Sequence, residues 1–161
     1  MKDKVLKIVT VVVITTILFL VLFRCDKMMD KSKRKDYSNL VVFGDNISAE
    51  YTPFVENGGV YLSVDTIKKV LDEYIYYDKI ATKVIVTTDS NVIKFKIDEA
   101  KMSNNLEYSD ITTPAKVVDS MPYIDVNLLK DIYKIKISYN EDTSTISIDK
   151  EDSTTTKVKF N

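Results

Sequence analysis

A 26-residue pattern occurs twice in this chain, 62 positions apart, and the two copies align without a gap. Residues 61–86 read YLSVDTIKKVLDEYIYYDKIATKVIV, and residues 123–148 read YIDVNLLKDIYKIKISYNEDTSTISI. Tyr61 falls on Tyr123, Val64 on Val126, Lys68 on Lys130, Ile75 on Ile137 and Tyr77 on Tyr139. The apolar class is kept at Leu62/Ile124, Ile67/Leu129, Val70/Ile132, Val84/Ile146 and Val86/Ile148. Self-similarity at a fixed period marks a duplicated supersecondary unit, and one such unit alone cannot bury its apolar face. At about 50 residues each, two units gain enough buried surface only by packing on one another.

Local signals fill in each copy. Residues 51–55 and 60–64 flank Glu56-Asn57-Gly58-Gly59, and Asn-Gly supplies the positive φ that a tight hairpin needs. Asp65 is the expected cap of a helix reaching about Glu73, with Ile67, Val70, Leu71 and Tyr74 on one face. Residues 75–77 and 83–88 read as a second hairpin. In residues 91–97, Val92, Lys94 and Lys96 alternate with Ile93, Phe95 and Ile97, which is the period of a half-buried strand. The second copy repeats this order. Its first hairpin turns at Asp119-Ser120, Asn127 is the expected cap, the helix over 128–133 is shorter, and strands at 135–139 and 145–149 follow.

The expected fold class is therefore α+β: an N-terminal transmembrane helix followed by two repeated small antiparallel sheet-plus-helix units. The expected divisions are a membrane anchor at 1–23, a charged linker at 24–39, a first repeat at 40–98, a connector at 99–114, a second repeat at 115–150 and a tail at 151–161. Lys157-Val158-Lys159-Phe160 in that tail alternates like the start of another strand, as if a further domain follows.

Residues 5–23 are apolar apart from Lys7 and three threonines. Nineteen helical residues span about 28 Å, close to the hydrocarbon thickness of a bilayer. Leu22-Phe23-Arg24-Cys25 lacks the small residues of a signal-peptidase site, so an uncleaved anchor is expected. Arg24 directly before Cys25 argues against lipidation of that thiol, and a lone cysteine forms no intrachain disulfide. Residues 1–37 carry nine Lys+Arg against four Asp+Glu, and the remainder fourteen against twenty. The basic residues after the span taken alone favour a cytoplasmic C-terminal side. The interleaved Asp26, Asp30 and Asp36, with the resemblance given below, favour the outside. The basic segment is also suited to anionic lipid headgroups. An acidic remainder without Trp or a basic stripe argues against nucleic-acid binding.

The chemistry on offer is narrow. The chain has no histidine, which removes Ser-His-Asp and Cys-His catalysis and imidazole metal ligands. It has no G-x-G-x-x-G and no P-loop, and Gly58-Gly59 reads as a turn. Composition leaves room for a glycosidase-type carboxylate pair, but the acids sit mostly in turns and caps. Asp65, Asp78, Asn127 and Asn140 hold matched repeat positions, which a structural role explains. Tyr77 and Tyr139 read as core residues, and exposed tyrosines such as Tyr76 offer rings for stacking on sugars. No catalytic, cofactor-binding or metal-ligating residue is assigned, and no cofactor is expected.

The copies resemble the copper amine oxidase N-terminal-like domain, a stalk-type module often found in tandem on Gram-positive surface proteins. The residues that carry the resemblance are Asn57-Gly58, Tyr61-Leu62-Ser63-Val64, the helix from Asp65, Ile75-Tyr76-Tyr77-Asp78 and Val84-Ile85-Val86. Their counterparts are Tyr123-Ile124-Asp125-Val126, Ile137-Ser138-Tyr139-Asn140 and Ile146-Ser147-Ile148. Tyr stands where the family usually has Trp. The family name brings no copper chemistry here, because the oxidase centre lies elsewhere and uses histidines. A membrane span before such a pair is also similar to the N-terminal region of membrane-anchored chitinase-like glycoside hydrolases of the cell wall or spore cortex, whose acidic catalytic signature is absent. The resemblance implies a non-catalytic, membrane-anchored extracytoplasmic stalk or cell-envelope-binding module. Its expected partners are membrane lipid, through the N-terminal helix, and peptidoglycan or another envelope component, with no nucleic acid. The alternative is the N-terminal fragment of a cell-wall or spore-cortex lytic glycoside hydrolase.

Overall fold

The structure, a computed structural model, describes residues 34–151. From the N-terminus these form β1 (Lys35–Asp36), β2 (Asn39–Val42), β3 (Asp45–Ile47), β4 (Phe54–Glu56) and β5 (Gly59–Ser63), then helix α1 (Val64–Val70). There follow β6 (Tyr76–Asp78), β7 (Lys83–Thr87), β8 (Val92–Lys96), β9 (Lys101–Asn104), β10 (Glu107–Asp110), β11 (Lys116–Val118) and β12 (Met121–Asp125). A 3₁₀ turn (Val126–Leu129) leads into α2 (Lys130–Tyr133), and β13 (Ile135–Asn140) and β14 (Thr145–Lys150) complete the described chain.

This is a mostly β protein, which corrects the expected α+β class. Its fourteen strands form three sheets, ordered β1-β4-β5-β12-β11, β10-β9-β8-β7-β6 and β13-β14-β2-β3. The helices are too short to form a layer. Helical turning begins two residues earlier than the sequence suggested in each copy, in the second as the 3₁₀ turn before α2, because Ser63 and Asp125 are the capping side chains, accepting from Thr66 N and Asn127 N. The apolar stripe of α1 ends by Leu71, and Asp72 turns the chain by accepting from Tyr74 N at 2.8 Å. Among the described residues no helix is long and apolar enough to cross a membrane. The expected span at residues 5–23 lies outside them, as does the expected strand at Lys157–Phe160.

The duplication is obeyed ladder by ladder. Phe54 pairs with Tyr61, Val55 with Val60 and Glu56 with Gly59. Sixty-two positions on, Lys116 pairs with Tyr123, Val117 with Pro122 and Val118 with Met121. Tyr76↔Ile85, Tyr77↔Val84 and Asp78↔Lys83 likewise reappear as Ser138↔Ser147, Tyr139↔Ile146 and Asn140↔Thr145. The copies are nevertheless not separate sheet-plus-helix units. β5 and β12 pair antiparallel with Leu62 opposite Ile124, flanked by Tyr61↔Asp125 and Ser63↔Tyr123. Exchanging the copies maps that ladder onto itself, so a pseudo-twofold axis passes through the Leu62–Ile124 pair. One core gathers Leu62, Ile67, Val84, Val86 and Phe95 with Ile124, Leu129, Ile146 and Ile148, and both copies belong to one compact unit beginning at Arg34.

The expected connector at 99–114 holds the β9–β10 hairpin, and the described end of the expected linker at 24–39 holds a strand. Within the expected tether, β1 pairs with β4, and Tyr37 is buried beside the Tyr139 ring, with centroids 5.9 Å apart. β2 lies parallel to β14, with Leu40 opposite Ile146 and Val42 opposite Ile148. It occupies the flank of the second copy that β8 covers in the first, where β8 runs antiparallel to β7. Both strands solve the same problem of an open edge rich in apolar residues.

Four hairpins turn through two successive residues of positive φ, as type I′ turns require. These are Phe43-Gly44 (54° and 89°), Asn57-Gly58 (52° and 79°), Asp119-Ser120 (50° and 67°) and Asn105-Leu106 (47° and 78°). Ser120 therefore meets the geometry of Gly58 while carrying a Cβ. We expect Ser120→Gly to stabilise the fold by about 1 kcal/mol, read as a higher midpoint in denaturant unfolding.

A second prediction concerns pH. Burial, and then the Asp72 carboxylate that accepts its hydroxyl hydrogen bond, hold the Tyr133 phenol well above its ordinary value of 10.0. Folding is thus favoured fully below that ordinary value, where both states are protonated. The contribution is lost as pH rises beyond it, because the unfolded phenol ionises first. Stability is expected to fall in that alkaline window, with a shallower fall in Tyr133→Phe.

Candidate functional site

Alternation along β7 and β8 divides their side chains between two faces. Val84, Val86, Ile93 and Phe95 enter the core, while Lys83, Ile85, Lys94 and Lys96 lie on the opposite face. The register aligns two rows across that face. One runs Tyr76–Ile85–Lys94–Ser103–Tyr108 over β6 to β10. The other contains Asp78, Lys83 and Lys96, with Lys83 directly opposite Lys96, and beyond them Lys101 stands opposite Asp110. A cleft of about 420 Å³ is lined by Lys83, Lys94, Lys96, Lys101, Leu106 and Tyr108, among others. A neighbouring hollow of about 340 Å³ shares Lys94, Ser103 and Leu106 with it.

Lys96 forms an ion pair with Glu99. Among the described residues, the ion pairs place no carboxylate on Lys83, Lys94 or Lys101. Tyr108 is 79% exposed and Leu106 81% exposed, and Leu106 holds its positive φ at the rim of the cleft. Like charges directly opposed across a ladder are destabilising. This face therefore assembles lysines at some cost to the fold, in a region of the chain that is acidic overall.

The first sheet curls around a second, smaller core. Phe54 stacks on Tyr61 with centroids 4.8 Å apart and leans on Tyr123 at 5.0 Å. Tyr61 donates to Pro114 O and Tyr123 to Thr52 O, each at 3.2 Å, two bonds that the pseudo-twofold exchanges. Lys116 holds the repeat position of Phe54 and sets its ammonium 4.7 Å from the Tyr61 ring centre. It also pairs with Glu56 across the two intervening strands, which closes the curl. Burial, reinforced by the Asp125 and Glu56 charges, holds the Tyr61 phenol far above its ordinary value.

Asp125 is the buried carboxylate of this region, 2% exposed. Its Oδ1 accepts from Val60 N at 2.9 Å, from Asn127 N at 3.0 Å and from Asn127 Nδ2 at 2.9 Å. Its Oδ2 accepts from Thr113 Oγ1 at 2.6 Å. Both oxygens are committed to holding the cap and the 113–115 segment together. The repeat explains why the counterpart is Ser63. The residue matching Val60 is Pro122, which has no N–H to offer, and Ser63 bonds Thr66 instead. Gly59 belongs to the same junction. A Cβ there would lie 2.8 Å from Thr113 Cγ2 and 3.0 Å from Asp125 Oδ2, so close approach excludes a side chain.

The acids singled out from the sequence do not converge. Asp78 Oδ1 accepts from Ile80 N and Ala81 N, and Asn140 Oδ1 from the equivalent Asp142 N and Thr143 N. Asp65 is exposed in the first turn of α1, and Asn127 bonds Asp125. Gly58 is a turn residue, whereas Gly59 opens β5. Tyr77 packs on the core, but Tyr139 is 46% exposed and so is not the core residue expected. Tyr76, 48% exposed, stands at the edge of the lysine-bearing face. Cys25 lies outside the described residues. Sequence reasoning missed Asp125 and the lysine cluster. The alternation of residues 92–97 was the one local sign of that face.

Fold and side chains define a duplicated, β-rich module. Its buried polar groups serve the architecture, and its open face is cationic. The family model for the copper amine oxidase N-terminal domain matches residues 41–148, more than half of the chain, and the protein belongs to that family. The matching domain is an accessory one and not a catalytic one. Comparison with curated proteins and with solved structures returned no match. The donors present do not fit a copper centre: the chain has no histidine, and among the described residues no three His, Cys, Asp or Glu side chains are placed to hold an ion.

Removing the Asp125 carboxylate strands the buried Val60 N–H and uncaps the 3₁₀ turn that leads into α2. Asp125→Ala is expected to cost about 2–4 kcal/mol, measured by urea unfolding.

Proposed function

We propose that this chain is a non-catalytic envelope module, tethered to the cell membrane by its apolar residues 5–23 and displayed on the extracytoplasmic side. In this reading the folded part works as a stalk that also adheres to peptidoglycan or another envelope component. The observation that carries it is the face of β6–β10, with Lys83, Lys94 and Lys101 in no ion pair among the described residues and with exposed tyrosine rings. Membership of an accessory-domain family supports a binding role over a chemical one. The short turns and shared core support a rigid spacer, because few segments of the described chain lack ladder pairing. The apolar length of residues 5–23 supports the tether.

Two measurements test the proposal together. A reporter fused after Asn161 is expected to report the extracytoplasmic side, and the full chain is expected to sediment with isolated peptidoglycan. A cytoplasmic reporter sinks the location. Extracytoplasmic display without sedimentation reduces the role to a spacer.

A further inference from the structure

We infer that the face of β7–β10 lined by Lys83, Lys94, Lys96 and Lys101 binds a linear polymer of polyol or sugar units joined by phosphodiesters. The inference rests on the envelope reading above and gives it a ligand chemistry. Four observations carry it: the spacing of the cations, the absence of an ion pair at three of the four among the described residues, their chemical type and the shape of the recess.

Lys94 and Lys96 point to the same side of one strand about 6.6 Å apart, and Lys83 faces Lys96 at roughly 5 Å across the ladder. Lys83 and Lys101 stand opposite Asp78 and Asp110 without an ion pair to either. Among the described residues only Lys96 of the four lysines has one, with Glu99, so part of the repulsion between these close cations is left for a ligand to neutralise. A chain bearing one negative charge per unit matches a row of ammonium groups better than an isolated ion does. Every cation here is lysine. Lysine binds phosphate oxygens as a point charge, without the fixed bidentate geometry of an arginine fork, and so tolerates a flexible chain of phosphodiesters.

The lysines line a recess continuous with the hollow around Ser103 and Asn105. A groove accepts a strand of polymer, while a bilayer presents a plane. Leu106 and Tyr108 supply apolar surface on which the carbon skeleton between phosphates can lie. Single-stranded nucleic acid fits less well. The exposed rings of Tyr76 and Tyr108 stand at opposite ends of a five-strand row, roughly 19 Å apart, which is too far to stack successive bases.

The test uses the full chain in neutral detergent and a synthetic glycerol phosphate oligomer. Single-stranded oligodeoxynucleotide and vesicles of phosphatidylglycerol are the competing probes. The oligomer is expected to bind with an affinity that falls as salt rises. Lys83→Gln and Lys94→Gln should each weaken it about fivefold, and the double variant roughly 25-fold. Lys130→Gln and Lys136→Gln, remote from the cleft, should leave it unchanged. Because Lys83→Gln also relieves repulsion from Lys96, its thermal midpoint should stay level or rise, which separates lost binding from lost folding.

Equal affinity in the parent and the double variant overturns the inference, and so does tighter binding to the oligodeoxynucleotide or to the vesicles. A chain that sediments with peptidoglycan yet ignores the oligomer refutes this inference while leaving the envelope reading standing. Oligomer binding by a chain whose reporter lies in the cytoplasm does the reverse.

Discussion

The antiparallel pairing of β5 with β12 is the constraint on which the rest of the structure depends. Leu62 opposite Ile124 sets a pseudo-twofold axis, and every other repeated ladder takes its place around it. A shift of one residue in that register would turn Leu62 and Ile124 out of the core and Tyr61 and Tyr123 into it. Neither half holds enough apolar surface to stand alone. Pairing at the axis merges two marginal units into one core. It also brings Asp125 beside the start of β5, so that a cap in the second copy satisfies an N–H in the first.

Departures from symmetry arise where the copies meet different neighbours. Pro122 removes the N–H that Asp125 would need in a mirrored arrangement, and Ser63 replaces the carboxylate accordingly. Lys116 stands where Phe54 does, keeping contact with a tyrosine ring while gaining a charge that Glu56 neutralises. The open flanks differ most. β8 covers β7 from the C-terminal side of the first copy, while β2 reaches β14 from the N-terminal side of the whole module and so runs parallel. The β8–β10 extension then creates a sheet face with no equivalent in the second copy of the described chain. The proposed binding face lies on the part of the fold that the duplication left free to vary.

The two candidate regions differ in how their polar groups are held. Around Asp125 each oxygen has protein donors at hydrogen-bond distance, which is the condition for a buried carboxylate that stabilises the fold. On the β6–β10 face the lysines are half-buried or exposed, and Lys83, Lys94 and Lys101 are in no ion pair among the described residues, which suits the proposed binding surface. The same chemical test distinguishes architecture from recognition in both places.

Much of this protein was legible in the chain itself. The repeat shows on comparing the chain with itself, while the Asn57-Gly58 hairpin, the β6–β7 and β13–β14 hairpins, the alternation in β8 and the structural role of Asp78 and Asn140 are local. Their signals lie within a few residues of the structure they specify. What only the tertiary structure decided is long-range: the β5–β12 axis, the parallel docking of β2 on β14, and the conversion of expected linkers into strands. The helical signal failed as a guide to class because seven residues with an apolar stripe look the same whether they found a layer or end after two turns. Lys83, Lys94, Lys96 and Lys101 are scattered along β7, β8 and β9, and no sequence window contains their alignment. Strand register places them on one face, and register is set by the apolar residues on the other.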